Sequence, residues 1–451
     1  MPQQFDLFAE DDSSGLLAGV LRTATQLFVK KLSNNDRDWA RLINKHQGGV
    51  YVPPRERDSG FFPPLVAKER DNPEADEIRE AWFRTEWPQF GIEKQTRLVH
   101  YTSKGPETHM TRVPKEAFAS LSPASWLVMV RADRDGAPGF VCLTIDSNSD
   151  EAIVLADTLA LAAKFTSEIL DPIAIMAMER DRIMDFAEEV ALAWLAGNIA
   201  GFAADRAKMP VTVDLATMAR TAFLEKFKLP ALNPFEMDRP GDAIREISRV
   251  FEWDLFREFQ RRERAVELVR AVLGDDAVKL DMKGIVRRLV DATGAIDAIM
   301  LSASQQRKSR AGYSFEHQIE AMLVAGGIPF AKQVVIDARK RPDFVLPSLT
   351  HLRKPLEGPA RGLILSAKTT LRERWKQVQR EMGGSDLFLA TVDESIAANA
   401  IEDMASMGIS LVVPESLKTS KDTEYVRHDN VLDFETFFRG ELQLLRMPAW
   451  A

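Results

Sequence analysis

The tightest constraint on this chain is a pair of short apolar runs, each tied to one ionisable residue. Phe344-Val345-Leu346 follows Pro342-Asp343, and Leu363-Ile364-Leu365-Ser366-Ala367 closes on Lys368. A short apolar run between turn signals reads as a buried strand, and a buried strand needs cover from other elements. That cover is legible nearby. Helical spacing fits 314–325, ended by Gly326-Gly327, then 371–382, 395–407 and a final stretch near 433–445. Strands fit 333–336, 343–346, 362–367, 387–391 and 409–413. Helices interleaved with strands make this third of the chain an α/β layer fold.

Upstream the texture changes twice. Up to about residue 150, short β-like runs alternate with Gly and Pro, as in Gly49-Val50-Tyr51-Val52-Pro53 and the runs at 125–130 and 140–145. Such punctuation predicts a small β-rich domain. From 151 the spacing turns helical: Leu155, Leu159 and Ala163 recur every four residues, and Ile183, Phe186 and Val190 at three and four. A Pro-containing break at 229–240 divides this stretch. The expected organisation is therefore a multidomain α/β chain, with a β-rich domain over 1–150, a helical connector over 151–302 and a C-terminal domain over 303–451.

Several function classes fall away. One cysteine, Cys142, leaves no disulfide framework and no cysteine-based zinc site. The six histidines are scattered, with no pair at metal-ligand spacing. The longest apolar stretch, near 153–163, is broken by Asp157 and falls short of the ~20 residues a bilayer needs. The N-terminus has no basic segment ahead of an apolar core. A soluble, cytoplasmic protein without a membrane partner is expected.

Charge points the other way, toward a polyanion. The chain carries −8 in all, yet between Gln305 and Arg380 stand 15 Lys/Arg against 6 Asp/Glu, a local net of +9 that leaves about −17 for the remainder. A basic module inside an acidic chain suits nucleic acid bound at one place.

The chemistry gathers in the same segment. If the two apolar strands pair, Asp343 and Lys368 meet at one sheet edge, and Glu381 follows Lys368 by thirteen residues on the next helix. Two carboxylates offer hard oxygen ligands to Mg²⁺, which stabilises charge on a phosphate and acidifies a bound water. A lysine there positions the water or neutralises developing charge. Singly, each residue has an ordinary alternative: a turn Asp, a strand-end Lys, a surface Glu. Their combination predicts metal-assisted phosphodiester hydrolysis, with Asp343, Lys368 and Glu381 catalytic and Asp343 and Glu381 binding the metal. Glu316 is a further carboxylate candidate, with Glu320 one turn on as its competitor.

Thr370 and Glu373 form a capping-box signature that starts the helix after Lys368. Arg372 and Arg374 in its first turn can make bidentate contacts to guanine, or bind phosphate, and Glu373 can accept from cytosine or serve only as a cap.

These residues resemble the EcoRII-type restriction endonucleases. The resemblance rests on Arg307-Lys308-Ser309-Arg310-Ala311-Gly312-x-Ser314-x-Glu316, on Arg341-Pro342-Asp343-Phe344-x-x-Pro347-Ser348, and on Lys368-Thr369-Thr370-x-x-Glu373-Arg374-Trp375-x-Gln377. The steps of 25 residues from Asp343 to Lys368 and 13 to Glu381 agree with it. It implies a C-terminal PD-(D/E)XK restriction-endonuclease-like fold in which the second acidic ligand has moved to the following helix, leaving Ser366 in the usual acidic position. It also implies a homodimer that cuts both strands of double-stranded DNA at a short palindrome. Arg372, Glu373 and Arg374 then read a C/G-rich core, and Arg310 joins the DNA contacts. A second match covers Lys30-Lys31-Leu32-Ser33-x-Asn35-Asp36 and His46-Gln47-x-Gly49-x-Tyr51-x-Pro53. It implies an N-terminal β-barrel-like effector domain that binds a second copy of the site, with Glu93, Lys94 and Arg97 as DNA-contacting residues. The residues at 37–44 are extra relative to that pattern, and Leu98 stands where an aromatic is expected. The readings that compete with a type II, effector-activated endonuclease are a modification-dependent nuclease and a DNA-binding regulator with a decayed nuclease fold.

Overall fold

The computed structural model describes residues 13–42, 48–69, 76–134, 136–162, 164–275, 281–335, 341–371 and 385–450. The chain divides into two compact units. One comprises residues 1–177 with 394–399 and 419–427; the other comprises 178–393 with 400–418 and 428–451.

The first unit is built on a long hairpin, Ile78–Trp87 and Ile92–Tyr101. Alternate residues Ala81, Phe83 and Trp87 are buried while Trp82 is exposed, the period of a sheet with one face on a core. Pro88–Phe90 turns the chain, and Gly91 adopts φ 62°, where a glycine is at no steric cost. Among the described residues the sheet runs Val50–Val52, Thr108–Thr111, Ile92–Tyr101, Ile78–Trp87, Gly139–Ile145, Trp126–Arg131, Leu27–Lys31, Ser167–Leu170, with Val66–Ala67 beside Ile78–Trp87. Lys30 Nζ lies 5.5 Å from the Tyr51 ring, although their strands are far apart in that order, so the sheet curls back on itself. One face encloses packed rings of Phe28, Phe61, Phe62, Phe83 and Phe140. The other is covered by Leu17 and Leu21 of helix Ser13–Thr23 and Leu155 of helix Asp150–Thr158. The change of character expected near residue 150 falls inside this unit, because Ser167–Leu170 pairs with Leu27–Lys31. That strand is four residues long and carries no apolar run to announce it.

The second unit centres on a mixed sheet in the order Ala331–Lys332, Phe344–Leu346, Leu363–Lys368, Asp386–Thr391, Ile409–Val413, Val431–Asp433. The first two pairings are antiparallel and the rest parallel. Phe344, Val345, Leu346 and residues 363–367 are buried, as their unbroken apolar text requires. One face packs on Phe315, Ile319, Met322 and Leu323, which recur at helical spacing, and on Phe437, Phe438 and Leu442. Ala219, Phe223, Ile244 and Ile247, from the stretch read as a connector, join the same core.

Three elements differ from their sequence expectation. The helix expected from 314 begins at Thr293 and runs 33 residues to Ala325. Gly294 and Gly312 lie inside it, and a glycine inside a helix costs only about 1 kcal/mol. The strand expected at 333–336 is Ala331–Lys332, and Gln333 at φ 49° ends it. The final helix, expected near 433–445, opens at Phe434 directly after strand Val431–Asp433, but its turns over Thr436–Arg446 are π-helical. The helix expected at 371–382 lies outside the described residues beyond Leu371. No helix among the described residues is long and apolar enough to cross a membrane.

Candidate active site

The antiparallel register sets Phe344 against Leu365, which places Asp343, one residue earlier, across from Ser366. One oxygen of Asp343 therefore collects three donors. Its Oδ2 accepts from Ser366 Oγ at 3.0 Å, from the Ala367 amide at 2.8 Å and from Lys368 Nζ at 2.8 Å. Lys368 is the last residue of its strand, so its ammonium clears the sheet end while its neighbours stay buried. Its side chain is 34% exposed, against 12% for Asp343. The third member comes from the long helix. Phe315 and Ile319 face the core, and Glu316, next to Phe315, reaches the sheet end with Oε1 3.9 Å from Lys368 Nζ. Glu320 turns elsewhere: it pairs with Lys332 Nζ at 2.5 Å and His317 Nδ1 at 3.5 Å. Of the two carboxylates that compete on this helix, the geometry brings Glu316 to Asp343 and Lys368.

Burial pushes the Glu316 carboxyl up to about 7, and the negative charge of Asp343 adds to it, while Lys368 and Lys332 oppose the rise. Two carboxylates held together in a half-buried setting repel when both are charged, and a proton or a cation between them relieves that repulsion. Their hard oxygens suit a divalent cation such as Mg²⁺. The residues present thus fit the ion that the sequence implies. Among the described residues no group of three or more His, Cys, Asp or Glu side chains gathers into a metal cage. Glu381, expected as the second metal ligand, and Arg372, Glu373 and Arg374, expected on DNA, lie outside the described residues. Arg310 lies on helix Thr293–Ala325, with its side chain outside the described set.

Two contributors escaped sequence reading. Ser366, named from sequence only for its position, donates from Oγ to Asp343 Oδ2. Asp393, buried at the end of Asp386–Thr391, accepts the Leu371 amide at 2.7 Å on Oδ2, while its own amide donates to Thr391 Oγ1 at 3.0 Å. It fixes the turn that leads out of Lys368. Its only sequence signal is an Asp two residues beyond a strand end, where short polar side chains often bond backbone groups.

In the first unit, Glu93 and Lys94 sit beside the hairpin turn and are exposed. Arg97 stands further along the same strand, donates from Nε to Glu80 Oε2 at 2.6 Å and lies 5.9 Å from the exposed Trp82 ring. Arg112 lies 5.0 Å from that ring, at φ 62°. Lys30 and Lys31 are buried and paired, with Asp36 at 3.2 Å and Glu394 at 2.8 Å. The structure does not bring these residues together as one cluster: Arg97 belongs to the Trp82 group, whereas Lys30 and Lys31 are engaged by acids.

Residues 279–438 match the family described as the EcoRII C-terminal domain. Over 142 residues the chain is 33% identical to the type II restriction enzyme EcoRII of Escherichia coli, covering 31% of this chain and 35% of that enzyme. Over 159 residues it is 30% identical to the type II restriction enzyme SsoII of Shigella sonnei, covering 33% of this chain and 50% of that enzyme. The chain thus spans between about a third and a half of the length of these curated relatives. A solved structure of metal-depleted Ecl18kI in complex with uncleaved, modified DNA is similar over 59% of this chain and 85% of that one, at 21% identity and a TM-score of 0.44.

Proposed function

We propose, on the premise that residues 279–438 are an EcoRII-type C-terminal domain, that this chain is a type II site-specific deoxyribonuclease. It makes Mg²⁺-dependent cuts in both strands of double-stranded DNA at a short C/G-rich palindrome, acting as a homodimer. The observation that carries this reading is the convergence of Asp343, Lys368 and Glu316 at one sheet end, within residues 279–438 that match the EcoRII C-terminal family. In this reading 303–451 is the catalytic endonuclease domain with a PD-(D/E)XK fold. Residues 151–302 connect it to an N-terminal effector domain over 1–150 that binds a second copy of the site.

Each residue has a task. Asp343 and Glu316 present carboxylate oxygens for Mg²⁺, joined by Glu381. Bound there, the ion neutralises phosphate charge and acidifies a water. Asp343 Oδ2 is fully engaged by protein donors, so it fixes Lys368 Nζ in place. Lys368 keeps further N–H groups free of Asp343 and offers them to the incoming water or to a non-bridging phosphate oxygen, where charge develops. Arg372, Glu373 and Arg374 follow in the next helix and read the base edges. Arg310 contacts the DNA of the cut site, and Glu93, Lys94 and Arg97 contact the effector copy.

The test is incubation with Mg²⁺ and unmethylated plasmid carrying several CCNGG or CCGG-like sites, beside the same reaction in chelator. Discrete fragments in Mg²⁺ alone are expected. Intact plasmid in both would sink the proposal, and fragments only from methylated plasmid would replace it with a modification-dependent nuclease.

A further inference from the structure

The core face of the first unit's sheet turns basic at one end. Residues two apart on a strand share a face. On Ile78–Trp87, Arg79 continues the row of Ala81 and Phe83; on Ile92–Tyr101, His100 continues that of Thr96 and Leu98. On Trp126–Arg131, Arg131 continues the row of Leu127 and Met129. All six of those predecessors are buried. Arg79 stands directly across from His100, and Arg131 across from Phe140 of the aromatic core. With Arg57 of helix Pro54–Arg57 they line a cavity of about 450 Å³, whose lining also includes the apolar run Phe62-Pro63-Pro64-Leu65.

The basic groups are held in place and keep donors to spare. Arg131 donates from Nη1 to the Gly60 carbonyl at 3.3 Å, and Arg57 from Nη1 to Thr108 Oγ1 at 3.0 Å. His100 Nδ1 donates to the Glu107 carbonyl at 2.9 Å. Glu77 and Asp133, outside the lining, accept from Arg79 Nε at 2.7 Å and Arg131 Nε at 3.0 Å. Asp58, in the lining, is taken by Arg57, from Nε at 2.7 Å and Nη2 at 2.6 Å. Among the described residues, both terminal nitrogens of Arg79 and Nη2 of Arg131 are left for a ligand. Solvent reaches both side chains, which are 53% and 44% exposed.

We propose that this cavity binds a mononucleotide, a phosphate monoester that carries a flat ring. Guanidinium forks match phosphate oxygens in plane and spacing. A monoester of about two negative charges meets the two arginines that no lining carboxylate balances. The apolar run takes the ring. Phe62 is held edge-on by Phe28 and Phe61, and each proline fixes its own φ, so that wall is stiff. The volume is that of a small-molecule pocket, too small for a duplex. Its place separates it from the residues proposed for effector DNA. Arg79–His100 lies six cross-strand pairs from Thr85–Lys94, roughly 20 Å away at ~3.3 Å per residue. Arg97, nearer by, stands on the outer face with exposed Trp82. The site goes beyond the endonuclease reading and stands whether or not the chain cuts DNA.

Titration calorimetry on the full chain tests it, in chelator so that no metal ion bridges to phosphate. The probes are the deoxynucleoside monophosphates, the matching nucleosides and inorganic phosphate. At least one nucleotide is expected to bind one-to-one, about tenfold or more tighter than its nucleoside and than phosphate alone. Arg79→Gln and, separately, Arg131→Gln are each expected to weaken that binding by about tenfold, with circular dichroism as the check on folding. Lys368→Ala, in the other unit, is expected to leave it within about twofold. No nucleotide bound at millimolar concentration overturns the site, as does phosphate alone binding equally well. Affinity lost with Lys368 and kept without Arg79 and Arg131 also overturns it. A weaker hold on duplex DNA in the two arginine variants, with no mononucleotide bound, would make this surface part of a DNA path and contradict the proposal.

Discussion

At the scale of single residues, the candidate site is a case of one carboxylate oxygen doing the positioning. Asp343 Oδ2 takes donors from Ser366, Ala367 and Lys368. Ser366→Ala is expected to lower cleavage by about tenfold or less while leaving Lys368 in place, because it removes one of three bonds, worth about 1 kcal/mol. A loss as deep as that from removing the lysine would show that Ser366 takes part in the chemistry. Buried acid elsewhere gives a pH prediction. Burial pushes Glu252 from 4.5 to about 7, against the hydrogen bond it accepts from Ser314. The native chain then keeps a proton that the unfolded chain releases between these values, so stability falls as pH rises through that window and levels off above it. Denaturation at pH 5 and pH 8 is expected to show a loss in the wild type that is smaller by up to about 3 kcal/mol in Glu252→Gln, the remainder belonging to groups such as Glu316 that are raised in the same way. An equal loss in the variant would place the effect on another group. Asp343, Lys368 and Glu316 could be named from sequence because two apolar runs and a helical motif flagged them. Ser366 as a ligand of Asp343, and Asp393 at all, needed the register and the turn.

Elements were legible where hydrophobic text was unbroken. Leu363–Lys368, Ile409–Val413 and Trp126–Arg131 stand where their apolar runs put them. Elements held by tertiary contacts were not: Ser167–Leu170 exists because Leu27–Lys31 offers it an edge, and residues 293–313 are helical despite two glycines. Helix Pro240–Glu246 is another such element. Its first-turn amides are met by Glu415, which accepts from Gly241 at 3.1 Å and Asp242 at 2.8 Å, and also takes the Glu435 amide at 3.0 Å. Glu415→Ala is expected to cost about 1–3 kcal/mol, since it strands buried amides. Gly241→Ala should cost a similar amount, because an added Cβ would stand 2.6 Å from Phe434 and 2.8 Å from the Pro414 backbone. Urea denaturation measures both, and midpoints equal to the wild type would remove this account of the helix.

At the scale of the molecule, charge and function are unevenly spread. The +9 segment at 305–380 coincides with the candidate centre, while the rest of the chain is acidic. DNA affinity is therefore expected to fall steeply with salt. If the N-terminal domain is an effector module, a nuclease-resistant duplex carrying the site should speed cutting of a one-site plasmid about fivefold or more. No change in rate would leave that domain without the role proposed for it. The strands Phe344–Leu346, Leu363–Lys368, Asp386–Thr391 and Ile409–Val413 of the second unit were foreshadowed by the order of its elements. The membership of 394–399 and 419–427 in the first unit was not, because no local pattern marks a segment that packs far from its sequence neighbours. The claim that Asp343, Lys368 and Glu316 form the centre is tested most directly by Lys368→Ala, assayed for both DNA binding and Mg²⁺-dependent cutting. Binding within about threefold of the wild type with cutting down by at least about 10²-fold is the expected result. Cutting at the wild-type rate would contradict it.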